Sequence, residues 1–296
     1  MITKAHKEDI LKMWNEYFSL DPTNLGQLER KFFLNPYVKQ VEPLCNSKSF
    51  SLMCVQEKQF LYAPVSKEDA WIFAAAFKDV EEFRNLLQNQ FESLRELGIK
   101  RIHYSNFSPG YFFPGLDTNA YPELFTELTR MGFKIESEAL AMEAEIGSMK
   151  YEEEPIPKGV TVENLREEET DELLALIENN FPADCYKRAN DVIISGDREQ
   201  ITVAKVENEI VGYSMYSAGE GKLEFSPGER LGCFEVIERA RSKGIGSKLL
   251  AKTLINMKSN GIRHAYFLWT SEKASHIYQR FGFKTFRKFS LMTKQL

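Results

Sequence analysis

The sequence predicts a mixed α/β protein built as two related domains, and three observations carry that reading. Helix-period and strand-period apolar patterns alternate through both halves. Helix-ending signals recur in the same order in each half: Leu94-Arg-Glu-Leu-Gly98-Ile99-Lys100-Arg101 answers Asn256-Met-Lys-Ser-Asn-Gly261-Ile262-Arg263, and Gly132-Phe133 answers Gly282-Phe283. Met142 and Met292 each lie ten residues past their glycine. A glycine at a helix end supplies the left-handed C′ conformation, and a repeated order of such signals points to duplication. Finally, residues 147–159 carry two prolines, two glycines and the acidic run Glu152–Glu154, with no sustained apolar period. They read as a connection between domains at 1–146 and 159–296, with the linker at 147–158.

The second half shows its elements most clearly. Val160 to Val162 is a short strand, and Glu168 to Asn180 an amphipathic helix with Leu173, Leu174, Leu176 and Ile177 inward. A second helix covers Tyr186 to Ile194. Ile201 to Val206 and Ile210 to Tyr216 flank Glu207-Asn208-Glu209 as a β-hairpin. Leu231 to Ile237 is a strand. Ile245, Leu249, Leu250, Leu254 and Met257 mark a long helix. Ile262 to Trp269 is a strand, Glu272 to Phe281 a helix, and Thr285 to Met292 the last strand.

Composition narrows the function. Of 296 residues, 43% are apolar, and 38 basic against 43 acidic residues leave a net charge of −5. This argues against a basic nucleic-acid binder while allowing a local cationic pocket. The longest apolar run, Trp71 to Phe77, is far short of the roughly 20 residues that span a bilayer. The beginning of the chain has no apolar signal core. The four cysteines (Cys45, Cys54, Cys185, Cys233) make no CxxC pair and no metal cluster with the four histidines. The expectation is a cytoplasmic protein with reduced thiols, no metal, no membrane partner and no nucleic-acid partner.

The sharpest signal is Val236-Ile-Glu-Arg-Ala-Arg241-Ser242-Lys243-Gly244-Ile245-Gly246-Ser247-Lys248. A strand ends, a cationic turn follows, and a helix opens on two glycines. Those glycines cost about 1–2 kcal/mol of helix propensity relative to alanine, so a compensating role is expected. Free N–H groups at a helix start, aided by the helix dipole, hold anions. Arg239, Arg241, Lys243 and Lys248 add positive charge, so the expected ligand is a phosphate or pyrophosphate. The P-loop pattern is absent, and the dinucleotide fingerprint fails because Leu249 stands at its third glycine.

The R-x-x-G-x-G turn between strand and helix, with Ala274-x-x-x-Tyr278-x-x-x-Gly282-Phe283 in register behind it, resembles the GNAT superfamily of N-acetyltransferases over about residues 159 to 296. The resemblance implies two tandem GNAT-like domains, each a mixed, mostly antiparallel sheet flanked by helices. It implies that the backbone N–H groups of Arg241, Ser242, Lys243, Gly244, Ile245, Gly246 and Ser247 hold the pyrophosphate of acetyl-CoA. It also implies that Phe234 and Val236 lie beside the pantetheine arm, on a strand splayed from its neighbour. Ser271 stands where many members have an Asn.

At the same place the first half reads Trp71-Ile-Phe-Ala-Ala-Ala-Phe77-Lys-Asp-Val-Glu-Glu. No glycine occurs there, and Asp79, Glu81 and Glu82 repel phosphate. Residues 1–146 carry 16 basic and 21 acidic groups, against 20 and 19 in 159–296. Only the second half is expected to bind coenzyme A, leaving the first as scaffold, with or without a wall of the acceptor site. Its loop Ser108-Pro-Gly-Tyr111-Phe112-Phe113-Pro114-Gly115-Leu116-Asp117 reads either as an acceptor loop or as a plug at a domain interface.

Acetyl transfer needs a neutral amine, a polarised carbonyl and a proton for the departing thiolate. Tyr278 is the expected acid, because a phenol near pKa 10 can protonate a thiolate. The Val236 N–H is the expected oxyanion donor. For the base, Glu235 is placed beside the thioester, with Glu238, Asp184 and Tyr186 as further candidates. Transfer through Cys185 or Cys233 would need an activated thiolate, for which no neighbouring His is seen. The expected function is transfer of an acetyl or short acyl group to a primary amine of a small molecule or peptide in a ternary complex. The alternative is a non-catalytic acyl-coenzyme A sensor.

Overall fold

Elements form where the patterns predict them, and their boundaries follow local chemistry. The computed structural model describes residues 4–61, 65–149, 158–217 and 229–296. In chain order these hold α1 (Lys4–Tyr17), α2 (Leu25–Leu28), β1 (Val38–Gln40), β2 (Ser49–Gln56), β3 (Asp69–Phe77), α3 (Val80–Glu96), β4 (Arg101–Tyr104), α4 (Pro122–Arg130) and β5 (Lys134–Glu145). There follow β6 (Val160–Asn164), α5 (Thr170–Asn180), α6 (Ala183–Ile194), β7 (Ile201–Val206), β8 (Glu209–Ser217), β9 (Glu229–Val236), α7 (Ile245–Ser259), β10 (His264–Thr270), α8 (Glu272–Gln279) and β11 (Lys284–Gln295). All the strands and helices read from the second half are present. Gly98, Gly132, Gly261 and Gly282 all take positive φ directly after helices, as C′ residues do.

Two compact units result: Met1–Leu140 with Arg287–Leu296, and Ala141–Phe286. These differ from the boundaries read off the sequence. The last ten residues pack with the first unit, because Met292 to Gln295 form an antiparallel ladder with Tyr104 to Arg101. Residues 141–149 belong to the second unit, where the N–H groups of Ile146 and Gly147 both donate to the Arg263 carbonyl at 2.7 and 3.0 Å. Most of the expected linker, residues 150–157, lies outside the described residues.

Each unit follows one plan. In the first, β1, β2 and β3 are antiparallel and β4 lies parallel to β3. In the second, β6, β7, β8 and β9 are antiparallel and β10 lies parallel to β9. Met142 and Met292, ten residues beyond their glycines, are both buried.

The first unit closes the places that the second leaves open. Asp79 caps α3, its Oδ1 accepting the N–H groups of Glu81 at 3.0 Å and Glu82 at 3.1 Å. A side-chain carboxylate thus fills the anion position at this helix start. The β3–β4 ladder stops at Ile72–Tyr104, and the next stretch of β3 is covered by aromatic rings. Phe107 and Phe112 lie 5.2 and 6.3 Å from Phe73, and Phe113 lies 5.7 Å from Trp14. The loop bearing Phe112 and Phe113 therefore packs into the core of its own unit. It is stitched to β11 by the paired backbone bonds of Leu116 and Ser290, at 2.9 and 2.7 Å.

One buried ionic cluster ties the last strand into this unit. Arg287 donates to Asp117 at 2.7 Å and to Asp21 at 2.9 Å, and the Tyr121 hydroxyl also donates to Asp21. The Asp21 and Asp117 side chains are only 1% and 7% exposed, so their charges depend on Arg287. Arg287→Met strands two buried carboxylates and should lower stability by about 3–5 kcal/mol. Urea unfolding of the full chain checks this, and adding Asp21→Asn to the same variant should recover part of the loss.

Candidate functional site

The site is built on β9, whose sequence makes it leave the sheet. Opposite β8, Ser214 pairs with Phe234 and Tyr216 with Leu231, so Met215 faces both Gly232 and Cys233. This is a β-bulge, which bends a strand and raises its twist. On the other side the ladder with β10 holds only Glu229–Ala265 and Arg230–Tyr266. Beyond that pair the strands part.

The hydrogen-bond register shows what the parting exposes. The Ile237 N–H donates to the Val211 carbonyl at 2.9 Å, which makes Val236–Gly212 a non-hydrogen-bonded pair. The backbone groups of Val236, and two residues earlier those of Phe234, therefore point away from β8 and into the opening. The Val236 carbonyl is taken by Arg241, whose Nε donates to it at 2.8 Å.

The cationic turn follows directly. Ser242 and Gly244 take φ of +61° and +78°, and Gly244 is the N-cap of α7. The first bond of α7 runs from the Lys248 N–H to the Gly244 carbonyl at 3.3 Å, so the N–H groups of Ile245, Gly246 and Ser247 precede the helical ladder. Arg241, Ser242, Lys243 and Gly244 are exposed. Ile245 is a core residue that contributes only its backbone to this surface. At Gly246 the space a Cβ would need is taken by Phe234 Cζ at 3.2 Å and Ile277 Cδ1 at 3.3 Å. These two side-chain tips crowd the place of a Cβ, so packing also favours a glycine here. The cationic turn is also less concentrated than its sequence, because Arg239 pairs with Glu209.

Phe234 and Tyr278 meet on the α7–α8 side of β9. Their rings are 5.8 Å apart in an edge arrangement, and Phe267 and Phe283 complete the surround at 4.3 and 5.8 Å from Tyr278. Burial, helped by the charge of Glu235, pushes the Tyr278 phenol above its ordinary pKa. Glu235 projects the other way, in register with Tyr213 on β8, toward the side where α6 packs on β9. Burial raises its carboxyl pKa, and the nearby Arg241 charge partly opposes that rise. Ser271 caps α8, accepting the Ala274 N–H at 3.2 Å. Asp184 lies 3.8 Å from Arg188 in α6, His264 lies 3.2 Å from Glu143, and the His276 ring faces Gln279 at 3.3 Å.

Three features were not read from the sequence. Arg280, past the end of α8, donates to the Ser247 hydroxyl at 3.3 Å, placing a guanidinium at the α7 start. Tyr213 is fully buried beside Glu235 and Cys185. The Cys185 thiol contacts Cys233. Each contact joins residues at least 33 positions apart or on facing elements, which no local pattern reports.

The region thus combines a bulged strand, a parting of two parallel strands and a helix start with no side-chain cap. Residues 197–285 match the acetyltransferase (GNAT) domain family. The whole chain superposes on a GCN5-related glucosamine N-acetyltransferase region of a fungal multi-domain β-N-acetylglucosaminidase with TM-score 0.75 at 17% identity, covering 99% of this chain and 37% of that one. It superposes on a GCN5-related N-acetyltransferase from Sphaerobacter thermophilus with TM-score 0.65 at 13% identity, covering 98% and 91%. A tandem GNAT protein from the clavulanic acid biosynthesis pathway gives 0.65 at 12% identity, covering 99% and 97%. No curated protein matches the chain by sequence. The family match over residues 197–285 supports acyl transfer from acyl-coenzyme A in general. The chain as a whole has the tandem GNAT fold. No described helix is long and apolar enough to cross a membrane.

The electrostatics of β9 give a direct check. The Glu235 carboxyl should titrate above the ordinary glutamate value of about 4.3. Arg241→Gln removes the opposing charge and should move it higher still. Carbon-13 NMR of labelled glutamate side chains reads both midpoints.

Proposed function

We propose that this protein is an N-acetyltransferase that moves an acetyl or short acyl group from acyl-coenzyme A to a primary amine by direct attack in the second unit. The observation that carries the proposal is the outward-facing backbone edge of Phe234 and Val236, set beside the open helix start at Gly244. An extended amide chain can pair with such an edge, as another strand would. A diphosphate can sit on the N–H groups of residues 245–247, with Lys243 and Arg280 close by to offset its charge.

The chemistry follows from the surroundings of the parting strands. Glu235, half-buried and with a raised pKa, accepts a proton from the incoming ammonium more readily than an exposed glutamate would. The nitrogen lone pair attacks the thioester carbonyl, and the Val236 N–H donates to the oxygen as negative charge develops there. As the carbon–sulfur bond breaks, Tyr278 gives its proton to the sulfur. Burial keeps that phenol protonated at rest. Direct attack is favoured over a cysteinyl intermediate, because contact with Cys233 and burial both push the Cys185 pKa far up.

The contrast within the chain supports a single site. In the first unit Asp79 occupies the anion position, and Leu128 stands four residues before Gly132, as Tyr278 stands before Gly282. The acceptor is an amine, and the fungal neighbour, described as acting on glucosamine, makes amino sugars the first to screen.

Acetyl-CoA with a panel of amines that includes glucosamine should release free thiol saturably. Tight coenzyme binding with no release from any amine would instead favour a sensor. With a working acceptor, Tyr278→Phe should cut turnover by about 10²-fold or more while coenzyme affinity stays within about twofold. Glu235→Gln should lower kcat by a similar factor and abolish its decline toward acid pH. In the unaltered protein that decline should be centred above the ordinary glutamate value, because it is the deprotonated form that accepts the proton.

A further inference from the structure

We propose that Cys185 and Cys233 are a reversible redox modification site, closing a disulfide that locks α6 onto β9. Cys185 lies in the first turn of α6 and is 7% exposed, while Cys233 lies in the bulge of β9 and is partly exposed. The two side chains hydrogen-bond to each other, and α6 contacts β9. Cys233 also packs against the core cluster that contains Cys185. Among the described residues no group of three His, Cys, Asp or Glu side chains is placed to hold a metal, which leaves the pair to thiol chemistry. None of the four cysteines is disulfide-bonded, and Cys45 and Cys54 belong to the other unit.

The oxidant is a low-molecular-weight disulfide such as oxidised glutathione. The Cys233 sulfur, the more accessible of the two, attacks it. One glutathione sulfur–sulfur bond breaks, a mixed disulfide forms on Cys233, and the first glutathione leaves as a thiol with the Cys233 proton. The Cys185 sulfur then attacks the Cys233 sulfur, and the second glutathione leaves with the Cys185 proton. Two protein thiols are oxidised and one disulfide is reduced. The bond that forms, about 2.05 Å long, is much shorter than a thiol–thiol contact. It therefore draws the α6 start toward the strand carrying Glu235. Burial of Cys185 keeps its thiolate scarce, so closure should be slow at neutral pH and faster as pH rises.

The test uses the full chain incubated with oxidised glutathione at mildly alkaline pH, followed by peptide mapping without reduction. The expected product is a cross-link between the peptides holding residues 185 and 233, reversed by dithiothreitol. Cys185→Ala should stop at a glutathione adduct on Cys233, and Cys233→Ala should leave Cys185 unmodified. Circular dichroism verifies that both variants fold. A glutathione adduct that persists on Cys233 of the unaltered protein would overturn the proposal, as would modification confined to Cys45 or Cys54. The functional half rests on the acyl transfer proposed above: closure should lower amine-dependent thiol release by at least about tenfold, with Cys185→Ala indifferent to the oxidant. A cross-linked protein with undiminished turnover would overturn the lock. Should the reduced protein itself show no turnover, that failure belongs to the acyl-transfer reading, and the mapping alone decides the modification site.

Discussion

The site depends on one unmet requirement of backbone chemistry. Every N–H and C=O in a strand needs a partner, and β9 has lost its neighbour for the length of Phe234 to Val236. The bulge opposite Met215 turns the strand out, and β10 does not follow it. The nearby side chains answer this geometry. Arg241 satisfies the Val236 carbonyl, Phe234 packs toward Gly246, and the α7 start supplies a second row of N–H groups. On the proposed function, a ligand that offers an amide chain at one end and phosphate at the other completes what the protein leaves open.

The two units show what such an opening costs and how it can be removed. Both have a parallel pair of strands that separates partway along. In the first unit the exposed stretch of β3 is covered by Phe107 and Phe112, and the helix start behind it is capped by Asp79. A carboxylate cap and buried rings stabilise a fold, and both would exclude an anionic thioester. In the second unit the helix start has a left-handed glycine in place of the cap, and a tyrosine rather than a leucine reaches the strand. On the proposed function, the same architecture is set toward stability in one half and toward binding in the other.

Glu235 and the thiol pair give the opposite face of β9 its own character. Tyr213, Cys185 and Cys233 surround the carboxylate with groups that solvate a charge poorly, which is why burial dominates its pKa. The surroundings that make Glu235 a better proton acceptor also bring two sulfurs together on the elements flanking it. The burial that raises the Glu235 pKa also raises that of Cys185.

Much of this was legible in the chain alone. The alternating periods located the strands and helices of the second half, the repeated Gly-Phe signals disclosed the duplication, and the glycines after Arg241 marked the turn, because all of these are local consequences of φ/ψ preference and side-chain alternation. The face taken by Glu235 was not readable, since it depends on a bulge that shifts the register against β8. Nor was the crowding of Gly246 by the Phe234 ring and the Ile277 side chain. The membership of 287–296 in the first unit, the pairing of Arg287 with Asp21 across 266 positions, and the meeting of Cys185 with Cys233 were likewise decided only by the tertiary structure. Contacts between segments far apart in sequence leave no local period or spacing behind, so they exist only once the chain has closed on itself.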